Sequence, residues 1–255
     1  RRAERAKYNT GDWKLRWNEF RTLAKVGVGS GIQLIAEVLA WSLFMNLVMG
    51  ELGTKEMSAM AFMLRYLIVS FLPALGISSA VTALVGRYIG MGRPDIALRR
   101  AHLGFLVTLI YVAICGVGFF IFKREAMEIF ARDPEVLRMG MQLMVIAAFY
   151  QLFDAMYIVY YGALRGAGDT FVPAIITAVL CWGLMVGGGY ISARYFKQFS
   201  VAGPWAAAFV YGVILGIWML VRFQRGKWRT IHLEHSKAPD ESNRLTDAAL
   251  VPVAH

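Results

Sequence analysis

The chain has 255 residues, of which 58% are hydrophobic and 17% charged, and its formal charge is +10. Soluble domains carry about 25% charged residues, and a soluble helix needs a polar face; residues 103–122 contain no charge at all. Composition therefore argues against a water-soluble fold, and the clustering of the basic residues at the ends and in loops argues against a nucleic-acid groove.

Six apolar blocks follow one another, at 24–49, 57–89, 97–122, 136–164, 171–193 and 201–223. Each exceeds the roughly 20 residues that a helix needs to cross about 30 Å of hydrocarbon. None alternates as a barrel strand does, which leaves helices as the spanning structure. The expected fold is all-α: a polytopic membrane protein with six transmembrane helices over 20–225. Residues 1–19 read as a charged cytoplasmic linker, and 226–255 as a cytoplasmic tail of disordered composition. The chain opens Arg1-Arg2-Ala3, has no visible signal peptide, and reads as a piece cut from a longer protein at a cytoplasmic loop.

In the first block, Ser30, Gln33, Glu37 and Trp41 recur at three- and four-residue spacing and share a helix face. In the second, Pro73 and Gly76 supply a cause for a bend, and Arg65 lies about 12 Å into the block. Arg65 either snorkels to the interface or faces the acids as a clamp. The stretch from Phe122 to Glu135 reads as an amphipathic piece at the outer interface. Asp133 and Pro134 then supply a helix cap and first turn. In the fourth block, Tyr150, Asp154, Tyr157 and Tyr161 share one face.

Two loops resemble each other. Gly86, Gly90 and Gly92 precede Arg93-Pro94-Asp95, and Gly162, Gly166 and Gly168 precede Asp169-Thr170. These six are read as helix-end glycines, where a left-handed residue stops the helix or small residues let helices approach. Cys115 and Cys181 read as small apolar residues. Trp13, Trp17 and Trp228 read as interfacial belt residues. His102, His232, His235 and His255 show no metal-ligand spacing, and no GxSxG, Walker or HExxH pattern supports catalysis.

Glu37 and Asp154 are the informative residues. A carboxylate in hydrocarbon costs several kcal/mol unless neutralised or partnered. Two nearby acids can share a proton, or hold a small hard cation such as Na⁺ through oxygen ligands. Nineteen of the 27 Lys and Arg fall on the side of the membrane that holds both termini, which the positive-inside bias makes cytoplasmic.

The order and spacing of Tyr150-Gln151-Leu152-Phe153-Asp154-Ala155, Gly162-Ala163-Leu164-Arg165-Gly166, Gly168-Asp169-Thr170 and Pro173 resemble the C-terminal half of the multidrug and toxic compound extrusion (MATE) family. Gly27 with Glu37 ten residues later, and Val85-Gly86 with Gly90 and Gly92, fit as well. The resemblance runs over roughly 20–225. It implies a twelve-helix transporter of the plasma (inner) membrane, of which this chain is the second six-helix lobe and lacks the N-terminal lobe. It also implies H⁺ or Na⁺ coupling at Glu37 and Asp154, no cofactor, and export of small-molecule drugs, often cationic and amphipathic. Cavity-lining residues would be Gln33, Trp41, Arg65, Tyr150, Tyr157 and Tyr161. Two departures stand out. Gly29 replaces a usual proline, and Met60-Ala61 and Arg65 replace polar positions, which favours proton coupling or an altered substrate. The alternatives are a lipid-linked oligosaccharide flippase of the same broad superfamily and a non-transporting membrane scaffold.

Overall fold

The computed structural model describes residues 17–230. The linker and tail expected at the two ends, with Trp13, lie largely or wholly outside them. Six helices are long and apolar enough to cross a membrane, and among the described residues there is no strand. The α-helical elements in order are α1 (Trp17–Leu43), α2 (Thr54–Gly90), α3 (Pro94–Ile121), a short α4 (Lys123–Glu128) that is not one of the six, α5 (Pro134–Gly166), α6 (Phe171–Leu180) and α7 (Ala202–Gln224). α1 runs on through a π-helical stretch, Phe44–Val48, to Met49–Leu52. α6 does the same through Cys181–Gly188 to Gly189–Tyr195. The first π stretch packs on the helical turn that follows the second: a Cβ on Gly189 would come within 2.9 Å of the Phe44 ring.

α5 is the axis of the bundle, packed on α2, α3 and α7. α7 in turn holds α6, and α6 holds α1. The exterior is inverted relative to a soluble bundle. Ile110, Ile114, Val117 and Ile121 all lie exposed along α3, as lipid-facing side chains do.

Pro73 does not interrupt α2. Proline frees the carbonyl four residues earlier, and that carbonyl, Val69 O, accepts a hydrogen bond from the Tyr111 hydroxyl of α3 at 2.9 Å. At the N-terminus of α5, Asp133 accepts the Glu135 backbone N–H at 2.8 Å. That bond, and then Lys55, holds the Asp133 carboxyl below its ordinary value of 3.8. Its folded pKa is depressed, so the stability it adds is present at neutral pH and disappears only as pH falls through that lowered value.

The two similar loops are one structure used twice. After α2, the N–H groups of Met91, Gly92 and Arg93 donate to Arg87, Ile89 and Tyr88. After α5, those of Ala167, Gly168 and Asp169 donate to Ala163, Arg165 and Leu164. Both are Schellman caps, with Gly92 (φ 69°) and Gly168 (φ 80°) left-handed. Of the six glycines in the two loops, only these two end helices through their backbone conformation. Gly90 and Gly166 are the last helical residues, and Gly86 and Gly162 lie a turn inside. Gly86, Gly162 and Gly166 serve a different purpose: they bring α2 and α5 into backbone contact. Trp228 also departs from expectation. It is buried rather than interfacial, stacked 5.0 Å from Phe223, whose carbonyl accepts its Nε1–H at 2.7 Å. Trp17 is exposed.

Candidate functional site

α1 and α2 are consecutive, yet α2 packs mainly on the far end of α1, at the π stretch and Met49–Leu52. Between them, backed by α5, lies a cavity of about 830 Å³. Its walls are mainly apolar, with Leu64, Ile68, Phe71 and Leu75 from α2 and Leu34 and Val38 from α1. Its carboxylate, amide and phenol groups come from α1, α5 and α7, and α2 adds the hydroxyls of Ser70, Ser78 and Ser79. Helical spacing on α1 and α5 turns each polar face inward because the opposite faces must meet lipid or other helices.

Glu37 and Asp154 both line this cavity, on opposing helices, near enough for their charges to interact. Glu37 is held in a small network. The Tyr157 hydroxyl donates to its Oε1 at 2.6 Å, and Gln33 Nε2 donates to its Oε2 at 3.3 Å and to the Tyr157 oxygen at 2.5 Å. Tyr211 of α7 lies beside it. Asp154 faces the Tyr150 hydroxyl. Gln33, Trp41, Tyr150, Tyr157 and Tyr161 all line the cavity.

One end of the cavity is closed by aromatic rings. Trp41 lies 6.2 Å from Trp205 and 6.4 Å from Tyr150, and Trp205 meets Phe44 edge-on at 6.0 Å. Towards the other end stands Arg165, its guanidinium 5.9 Å from the Tyr161 ring centre.

Several buried polar atoms on this wall have no hydrogen-bond partner among the described residues: Ser30 Oγ, Gln33 Oε1, the Tyr161 hydroxyl and both amide atoms of Gln151. Buried polar groups are rarely left so; these belong to residues of the cavity wall, but the atoms themselves are covered. The oxygens on offer are carboxylate, amide and phenol, the donor set of a hard cation. Among the described residues, no three His, Cys, Asp or Glu gather as a resident metal site.

Arg65 is a correction. It does not line the cavity. It is exposed, with its guanidinium 5.1 Å from the centre of the Phe130 ring and 6.0 Å from that of Phe62. A long cation on an outer helix face lowers its energy by reaching outward, not by desolvating beside buried acids. Sequence reasoning missed Gln151, Tyr211 and Arg165 as wall residues. Gln151 stands three before Asp154, so its spacing carried a signal; Tyr211 is a lone phenol in an apolar helix and carried little.

The MatE family profile matches residues 31–191. A protein of Thermotoga maritima named "Probable multidrug resistance protein NorM" is 28% identical over 213 residues, covering 84% of this chain and 46% of its own length. A NorM of Shewanella oneidensis is 30% identical over 197 residues, with 77% and 42% covered. The multidrug resistance protein MdtK of Yersinia pestis is 28% identical, with 79% and 43% covered. The chain thus spans about half the length of the curated relatives it matches. Among solved structures, a MOP superfamily transporter from Pyrococcus furiosus, described as having a binding pocket of reverse polarity that suggests a different function, superposes with a TM-score of 0.67 at 17% identity, covering 81% of this chain and 46% of its own. An outward-facing multidrug resistance MATE transporter gives the same TM-score at 18% identity. At those identities the likeness speaks to the fold alone. With six apolar helices, one lobe-like bundle and a family match over more than half its length, the chain is a multi-pass membrane protein of the MatE, or multidrug and toxic compound extrusion, family.

Proposed function

We propose that this chain is the second lobe of an exporter that couples entry of H⁺ or Na⁺ to efflux of organic, often cationic, compounds. One observation carries the reading: Glu37 and Asp154 face a single large cavity whose walls are otherwise mainly apolar. An apolar wall takes up an amphipathic compound, and the carboxylates supply the site for its charge or for the coupling ion. An occupied pair carries one negative charge fewer, so enclosing it costs less than enclosing both bare charges. Occupancy thereby biases which side of the membrane the cavity faces. The relatives named for multidrug resistance support the substrate class. The flippase alternative calls for a large basic cavity, whereas this one holds two carboxylates against the single guanidinium of Arg165.

The basic ends of the helices lie together. Gly86 meets Gly166, and Arg222 meets Asp169, at one end of the bundle. Lys55 pairs with Asp133 and Glu135 at the other. The positive-inside bias makes the first end, and with it both termini, cytoplasmic in this proposal.

The test is efflux from cells or everted vesicles carrying the full-length protein. Asp154→Asn is expected to lower efflux of a cationic dye at least tenfold and to flatten its dependence on pH and Na⁺. Unchanged efflux with unchanged ion dependence refutes coupling at this pair. Tyr157→Phe removes one donor from Glu37 and leaves the ring. A hydrogen bond to a charged group is worth about 1.5–3 kcal/mol, so the ion or proton concentration giving half-maximal efflux should move by roughly tenfold or more, at normal protein levels. An unmoved titration would show that this hydroxyl only packs.

A further inference from the structure

Arg65 is left unexplained by the transport reading. No carboxylate lies within ion-pair distance of it among the described residues, unlike Lys55, Arg124, Arg194 and Arg222. Its side chain is exposed, yet it has aromatic neighbours. Phe62 and Phe130 stack on each other with centres 5.5 Å apart, and both rings lie against it. Ring faces stabilise the charge but accept none of the five N–H donors in any strong bond.

Its depth is set by its neighbour. Tyr66 donates to the Ala126 carbonyl in α4 at 2.6 Å. α4 carries Lys123, Arg124, Glu125 and Glu128, which cannot sit in hydrocarbon, while Phe122 and Ile129 beside it are exposed and apolar. That pattern belongs to a segment lying along the membrane interface. Arg65 therefore stands at headgroup level, though it is about 16 Å from the start of α2. At that level the abundant anion is the phosphodiester of a phospholipid, and a guanidinium fork matches its paired oxygens.

We propose that Arg65, clamped by Phe62 and Phe130, binds the phosphodiester of a membrane glycerophospholipid in the leaflet that holds α4. The bound lipid ties α2 to the α3–α5 connection at the level of that leaflet. This holds whatever the chain transports.

The test uses the purified full-length protein in detergent. Native mass spectrometry and thermal unfolding are followed as dioleoylphosphatidylglycerol is added, beside dioleoylglycerol, which lacks the phosphate, and inorganic phosphate, which lacks the chains. The parent protein is expected to retain the phospholipid and to be stabilised by it alone. Arg65→Gln should weaken that retention roughly tenfold, as loss of a charge-assisted bidentate pair does. Phe130→Leu, which leaves the charge but removes half of the clamp, should weaken it about threefold; this variant carries the test if Arg65→Gln does not fold. Arg124→Gln, on the same surface but already paired with Glu128, should leave retention unchanged. Equal retention by parent, Arg65→Gln and Phe130→Leu overturns the proposal. So does equal protection by dioleoylglycerol or by inorganic phosphate. An Arg65→Gln protein destabilised to the same degree with and without lipid also overturns it, because Arg65 would then be paired within the protein.

Discussion

Replacing Gly166 with valine is expected to prevent the protein from accumulating in the membrane. A Cβ at this position would lie 2.3 Å from the carbonyl oxygen of Thr82 and 3.0 Å from its carbonyl carbon. Both are backbone atoms of α2, so no side chain can turn aside. The neighbouring contacts are equally tight. A Cβ on Gly162 would lie 2.8 Å from the Ser78 carbonyl oxygen, and one on Gly86 would meet the Gly166 carbonyl at 3.2 Å. Hydrogen bonds cross this seam: Ser78 Oγ donates to Ile158 O at 2.7 Å, and Thr82 Oγ1 to Gly162 O at 2.8 Å. Forcing α2 and α5 apart by the width of a side chain breaks these bonds and loosens the axis of the bundle. Overpacking costs about 1–3 kcal/mol where side chains can adjust, and roughly 3 kcal/mol or more is expected here. Gly90→Ala is the control, since nothing lies within 4 Å of its added Cβ, and it should accumulate as the parent does. Membrane-fraction yield and thermal unfolding in detergent measure both. A Gly166→Val protein that accumulates and melts like the parent would mean that the two helices do not cross at this distance.

Arg222→Ala is expected to lower the unfolding temperature more than loss of any exposed ion pair in the chain. Arg222 binds Asp169 through Nε and Nη2 at 2.8 and 2.9 Å, and the Asp169 side chain is only 6% exposed. Removing the guanidinium leaves that carboxylate buried without its partner, a loss of about 3–5 kcal/mol. The damage should spread. Asp169 and Thr170 follow the Schellman cap of α5, and Thr170 packs directly on Gly29 of α1, where an added Cβ would come within 2.9 Å of its hydroxyl. The pair thus fastens the end of α7 to the corner where α5, α6 and α1 meet. Arg222→Ala with Asp169→Asn should recover part of the loss, because the bare charge is then gone. Lys55→Ala, whose partners Asp133 and Glu135 are about half exposed, should barely lower the unfolding temperature, because water and salt screen such a pair. Equal unfolding temperatures for Arg222→Ala and Lys55→Ala would show that the Asp169 carboxylate is in fact solvated.

Both results turn on features that were legible to different degrees. The glycine runs were visible as a repeat, and their two left-handed positions followed from the cap rule. That Gly86, Gly162 and Gly166 face one another across a seam was not visible, since it depends on which faces of α2 and α5 meet. Asp169 looked like a loop residue and Arg222 like a helix-end cation, and nothing local joins positions 53 residues apart. Trp228 was misread for a similar reason. An indole near a helix end suits an interface, but here Phe223 offers a ring and a carbonyl one turn away, and the side chain folds back. Pro73 stands inside a helix that continues past it, and the carbonyl that proline frees is taken up by Tyr111 on a different helix, a partner no local pattern announces.

The sequence by itself determined the six spanning helices, the polar faces of α1 and α5, and the two acids that stand in them. Those are local matters of length, period and solvation cost, and hydrocarbon punishes errors in them severely. Only the tertiary structure decided that α1 and α2 part to leave a cavity, that Glu37 and Asp154 face it together, and that Arg65 turns away from them to the surface. Periodicity gives a side chain's direction about its own helix axis, but not the rotation of that helix against its neighbours. That rotation is set by small-residue contacts and long-range hydrogen bonds, which have no signature within a single segment.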